Sequence, residues 1–144
     1  VSIQRKRILV IDEDPDLLQY VAKRCRTLGM EVDTAEEAVA AMTLFERQPP
    51  DLLLLDGLLP GGSGLRLSEM VLASPDDVTC PVIIMTREGY AVEKNASTDM
   101  CVYRVRKRAP LWQFLEPIIR ELVDVDPQSR RSNDEEEDKS ECCS

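Results

Sequence analysis

A few positions in this chain place an oxygen or a cation directly after an apolar run. Asp12 and Glu13 follow RILVI, Asp56 follows four leucines, Thr86 closes PVIIMT, and Arg106 and Lys107 follow the stretch 100–105. Singly, each has an ordinary explanation. An acid after a strand is often a solvated turn residue or a helix N-cap, Thr86 is a strand residue, and Lys107 is surface charge. As a set they describe three carboxylates, a hydroxyl and a cation. Carboxylates gathered in one crevice repel one another, and their burial needs a cation between them. With oxygen donors and no imidazole or thiolate nearby, a hard ion is implied, and Mg²⁺ fits because it keeps waters and takes a few carboxylates plus a phosphate. Such a site suits phosphoryl transfer, where positioning and charge neutralisation do most of the work. Asp56 would attack as a carboxylate nucleophile and become an aspartyl phosphate. Thr86 would donate to a phosphoryl oxygen, and a lysine would pair with its charge as a mobile point cation.

For these residues to meet, the elements that carry them must lie side by side. Arg7–Asp12, Leu52–Asp56 and Pro81–Thr86 are short continuous apolar runs, the pattern of strands buried on both faces. Met30–Asp33 reads as a shorter extended piece, and Met100–Val105 as a fifth strand interrupted by Arg104. Helical spacing fills the gaps. Pro15 stands at a first helical position, Leu17, Leu18, Val21, Cys25 and Leu28 follow, and Gly29 ends the helix. Thr34 with Glu37 reads as a capping box ahead of Ala38, Ala41, Met42 and Phe45, and Pro49-Pro50 stops that helix. Leu65, Leu67, Met70, Val71 and Leu72 suggest a third helix. The stretch 87–99 holds the poor helix formers Gly89, Asn95, Ser97 and Thr98, which predicts a short or irregular helix. Pro110 opens a last helix that Pro117 should kink or split. Five βα repeats predict a doubly wound α/β fold with a five-stranded parallel sheet. Ligands of such sheets bind beyond the carboxyl ends of the strands, where the acids, Thr86 and Lys107 stand.

Composition excludes several alternatives. The 144 residues suffice for one compact domain, and 43% apolar content suits a globular core. No apolar run is long enough for a bilayer and no secretion signal is evident, so a cytoplasmic protein is expected. The net charge is −9, of which the segment 124–144 carries −5 from eight acids and three bases. An acidic body, residues 1–125, with an acidic and disordered tail, residues 126–144, argues against nucleic-acid binding. There is no histidine, which removes Ser-His and Cys-His catalysis, and the five cysteines form no CxxC pair, so a zinc site is not expected. Cys25, Cys80 and Cys101 read as buried thiols.

The segment ILVIDEDPDLL (Ile8–Leu18) resembles the opening of receiver domains of two-component response regulators. PDLLLLDGLLPGGSGL (Pro50–Leu65) resembles their phosphoacceptor strand and loop, Pro60 and Gly64 included, and PVIIMT resembles their fourth strand. The likeness covers residues 5–124 and implies the flavodoxin-like (βα)5 receiver fold. It implies that Asp56 accepts phosphate from a histidine kinase or histidine phosphotransfer protein. Asp12, Glu13, Asp56 and the backbone carbonyl of Leu58 would hold Mg²⁺. Thr86 would move toward the phosphoryl group, coupling to an aromatic on the fifth strand and remodelling the face of the fourth and fifth helices. The chain departs from the family in places. Lys-Pro after the fifth strand is replaced by Arg106-Lys107-Arg108 with no following proline. Counting back from Phe114 and Leu115 selects Lys107 as the phosphate-pairing cation, whereas counting forward from Tyr103 as the switch aromatic selects Arg106. Lys107 is preferred for its chemistry. Arg87 follows Thr86 where the family usually has a small residue, and Ser63 stands where it often has Asp.

The expected function is a phosphorylation-dependent signalling switch of a phosphorelay, not an enzyme. It would act through protein contacts with an output protein that the sequence does not name, as a monomer or weak homodimer, without direct nucleic-acid or membrane contact. A pseudo-receiver that binds partners independently of phosphorylation is the alternative; the altered fifth-strand motif and Arg87 favour it, and the complete set Asp12, Glu13, Asp56 and Thr86 opposes it. A Mg²⁺-dependent hydrolase working through an aspartyl phosphate usually carries a second acid two residues after the nucleophile, where this chain has Leu58.

Overall fold

Leucines at 52–55 are all buried because strands and helices surround them on every side. The computed structural model describes residues 5–57, 80–87, 92–95, 102–108 and 110–123. Their elements are β1 (Arg7–Ile11), α1 (Pro15–Thr27), β2 (Glu31–Ala35), α2 (Ala38–Arg47), β3 (Leu52–Asp56), β4 (Val82–Thr86), β5 (Val92–Asn95), β6 (Val102–Arg106) and α3 (Leu111–Leu122). The sheet order is β2-β1-β3-β4-β6-β5. Its first five members are parallel, with Ile8 opposite Leu52, Leu53 opposite Val82 and Thr86 opposite Arg106. Alternate side chains serve opposite faces. Ile8, Val10, Leu52, Leu54, Ile83, Met85, Tyr103 and Val105 pack with α1 and α3. Leu9, Ile11, Leu53, Leu55, Val82 and Ile84 pack toward α2 through Ala41 and Phe45. Both faces are covered, as a doubly wound α/β sheet requires.

The helices begin and end for local reasons. Asp14 caps α1, its side chain accepting from the Asp16 amide at 3.0 Å, and Pro15 needs no donor at the first position. Gly29 adopts φ 87°, the left-handed conformation that terminates the helix and favours glycine.

Three sequence expectations change. Thr34 does not cap α2: it is paired within β2 opposite Val10, and the N-cap is Glu37, extended and without a side-chain cap. Pairing with β1 satisfies the Thr34 backbone in place of a capping turn. The region expected as a short or irregular helix after Thr86 contains β5, which runs antiparallel on β6 with Val92 opposite Val105 and Asn95 opposite Val102. Val92 and Asn95 are weak helix formers, the edge of β6 has backbone groups that need partners, and pairing wins. The parallel sheet of five therefore gains a sixth, antiparallel edge strand. Pro117 does not split the last helix. The carbonyl its missing N–H would have served belongs to solvent-exposed Gln113, where water can replace the bond, while Leu111, Leu115, Ile118 and Ile119 bury the opposite side. The third helix expected around 65–72, Leu58, Pro60, Ser63, Gly64, Cys101 and the tail 126–144 lie outside the described residues.

Candidate functional site

Three strands deliver their carboxyl ends to one place. Asp12 is the first residue beyond β1, Asp56 is the last of β3, and Thr86 is the last of β4. The backbone beyond β6 is tied to this edge because the Lys107 amide donates to the Thr86 carbonyl at 2.6 Å. Gly57 sits close under β4: its amide donates to the Met85 carbonyl at 3.0 Å, and an added Cβ would lie 3.3 Å from that oxygen. Any side chain after Asp56 would make the β4 backbone give by a few tenths of an ångström.

Asp12 is fully buried and Asp56 is 2% exposed. Lys107 reaches both. Its Nζ donates to Asp12 Oδ1 at 3.0 Å and lies 3.5 Å from Asp56 Oδ2. Asp12 Oδ2 is 2.7 Å from the same ammonium, so both oxygens of this carboxylate face Lys107. Asp12 Oδ1 also accepts from the Asp14 amide at 2.9 Å. Burial pushes the Asp12 carboxyl above its ordinary range, against the opposing pull of Lys107 and the Asp14 amide. Two buried carboxylates share the Lys107 ammonium.

The structure brings Lys107, not Arg106, to the carboxylates. It does not bring the three acids together as expected. Glu13 is partly exposed and turns to Arg87, its Oε1 lying 3.8 Å from the guanidinium. Among the described residues no three acids, cysteines or histidines converge into a metal-holding group. Tyr103 is not placed as a switch aromatic. It is buried on the face toward α3, where its hydroxyl donates to Glu121 at 2.7 Å, and the position three before Lys107 is the exposed Arg104. Strand alternation causes this, since Tyr103 shares its face with Val105.

Comparison with known families decides the kinship. The model of the response regulator receiver domain matches residues 8–105. This chain belongs to that family. Among curated relatives, the receiver is 32% identical over 84 residues to the phosphate regulon regulatory protein PhoB of Pseudomonas aeruginosa, covering 58% of this chain and 37% of that protein. It is 27% identical over 125 residues to the probable transcriptional regulator ycf27 of Cyanophora paradoxa, covering 85% of this chain and 50% of that protein. The chain thus spans half or less of the length of these two relatives. Among solved structures, the response regulator TrrA of Thermotoga maritima superposes with a TM-score of 0.66 at 25% identity, covering 82% of this receiver and 99% of TrrA. TrrA has been solved with Mg²⁺-BeF and also in complex with the histidine kinase ThkA. The matched segment stops two residues short of Lys107, so the cation is supplied by the geometry alone.

Proposed function

We propose that this receiver is a phosphorylation-dependent switch whose Asp56 takes a phosphoryl group from a phosphohistidine of a histidine kinase or phosphotransfer protein. The observation that carries the reading is the Lys107 ammonium held between two buried carboxylates at the strand ends. An Asp56 oxygen attacks phosphorus as the phosphorus–nitrogen bond breaks, and the bond pair leaves with the imidazole. Lys107 is within reach to follow the added charge, shifting its weight from Asp12 to the phosphoryl oxygens. The Thr86 hydroxyl, on the adjacent strand end, donates to one of them.

The donor set fits a hard divalent ion. Asp12 and Asp56 present buried carboxylate oxygens at one strand edge, hard donors of the kind Mg²⁺ takes. Asp12, Asp56, Glu13 and the Leu58 carbonyl would hold Mg²⁺, which when bound neutralises the phosphoryl oxygens during transfer. The relation to TrrA, solved with Mg²⁺-BeF and with its kinase, supports both the metal and the partner class. Output would run through protein contacts, with no catalytic turnover of its own as its purpose.

The test is incubation with acetyl phosphate and Mg²⁺ followed by intact mass. A phosphate adduct is expected in the native chain and none in Asp56→Asn. An adduct that survives Asp56→Asn would remove Asp56 from its role.

A specific observation keeps a second reading in play. Glu13 engages Arg87, and β5 occupies the place expected for the fourth helix. A pseudo-receiver, binding partners without phosphorylation, would show no change in Trp112 fluorescence or amide spectrum at saturating beryllofluoride and Mg²⁺. A switch would show both.

A further inference from the structure

Glu13 follows Asp12 at the end of β1, and Arg87 follows Thr86 at the end of β4. The sheet order places β3 between those two strands. Their ion pair, 3.8 Å between guanidinium and carboxylate, therefore crosses above the strand end that carries Asp56. Both residues also line a cavity of about 530 Å³ together with Lys107 and Arg108. The pair is open to solvent, with side chains 65% and 46% exposed. It can therefore break without unfolding anything.

We infer that Arg87 is a positioning residue that competes with Mg²⁺ for Glu13 and so sets the metal affinity of this receiver. The inference rests on the metal reading given above. A carboxylate turned toward a guanidinium is turned away from the two buried acids, and a guanidinium brought near a divalent cation repels it. Loading the site requires Glu13 to exchange one partner for the other. The metal must therefore displace a built-in counterion before the acceptor is ready. The cost of that exchange is small, as expected for an exposed pair, and it falls with salt.

Calorimetric titration of the full chain with MgCl₂ at fixed ionic strength tests this. Arg87→Ala is expected to tighten Mg²⁺ binding by about two- to fivefold, the range of an exposed ion pair. Arg87→Lys keeps the charge and should bind as the native chain does. Arg108→Ala serves as the control, because Arg108 lines the same cavity and carries the same charge without an ion pair to Glu13. The difference between Arg87→Ala and native protein should fade at about 1 M salt, where the screening length is about 3 Å. Unchanged affinity in Arg87→Ala, or equal tightening in Arg108→Ala, overturns the inference; the second result would mean a general field, not a partner exchange. A native chain that binds no Mg²⁺ at all overturns it as well, and locates the failure in the metal reading itself.

Discussion

Lys107→Met removes the ammonium from between Asp12 and Asp56 while keeping an unbranched stem. In the native receiver that ammonium lies 2.7 Å from Asp12 and 3.5 Å from Asp56, with its own side chain 13% exposed and theirs 0% and 3%. Solvent screens little at such burial. Removing one partner of a buried pair costs about 3–5 kcal/mol, because the remaining charge is left uncompensated. Asp12 is wholly buried and Lys107 nearly so, and the middle of that range is expected, about 4 kcal/mol. For a domain of this size the melting temperature should fall by roughly 15 °C. The pH dependence has a definite sign. Burial already holds the Asp12 carboxyl above its ordinary 3.8, and the Lys107 hydrogen bond and charge are what pull it down. Without them it rises further. A carboxyl whose folded-state value is raised contributes stability below its unfolded value, and that contribution is lost as pH rises through the folded one. The deficit of Lys107→Met should thus be small in acid below 3.8 and grow toward neutrality. Urea titrations across that interval, without Mg²⁺, measure it. Added Mg²⁺ should restore about 2.7 kcal/mol at a hundredfold excess over its dissociation constant. A deficit under about 1 kcal/mol at neutral pH, the level of an exposed pair, would refute the reasoning. So would one that shrinks as pH rises.

Other expectations follow from single contacts. Leu54→Ala, in the middle of β3, should lose about 2–5 kcal/mol in the same urea titration. Burial pushes the Cys25 and Cys80 thiols up to about 12. Both should stay unalkylated by iodoacetamide at mildly alkaline pH until the chain is unfolded, as peptide mass spectrometry would show. Asp14→Ala removes the cap of α1 and should cost about 1 kcal/mol. Tyr103→Phe, lacking the hydroxyl bonded to Glu121, should cost about 0.5–1.5 kcal/mol in stability while leaving acetyl phosphate labelling of Asp56 intact. Lost labelling would mean that Tyr103 takes part in the site after all.

The parallel core was legible because its strands are short, apolar and closed by acids. Ile8–Ile11, Leu52–Leu55 and Val82–Met85 have few other structures open to them in a chain this polar. The convergence of Asp12, Asp56 and Lys107 followed from the topology once those strands were placed. What stayed hidden depended on contacts far apart in sequence. Thr34 looked like a cap because the local pattern cannot show that β1 has a free edge for it. Helix propensity describes Val92–Asn95 poorly, because propensity yields to an unpaired neighbouring strand. Residue type alone makes Tyr103 resemble a switch aromatic, yet one step of strand register sends it to the opposite face. Glu13 was placed with the other acids by adjacency to Asp12, while its actual partner, Arg87, sits 74 positions along the chain.

The bond between Lys107 and Asp12 spans 95 residues, and that to Asp56 spans 51. A chain that has folded β1 and β3 but has not yet docked β6 holds both acids in an apolar sheet without the Lys107 ammonium. Burial of Asp12 without that partner favours keeping the sheet open until β6 arrives. Late closure of this kind slows folding, because long loops must be ordered before the contacts reward it. It also makes closure of the sheet and completion of the strand-end site one event. Molecules arrested before β6 docks would then lack the site as well as the fold.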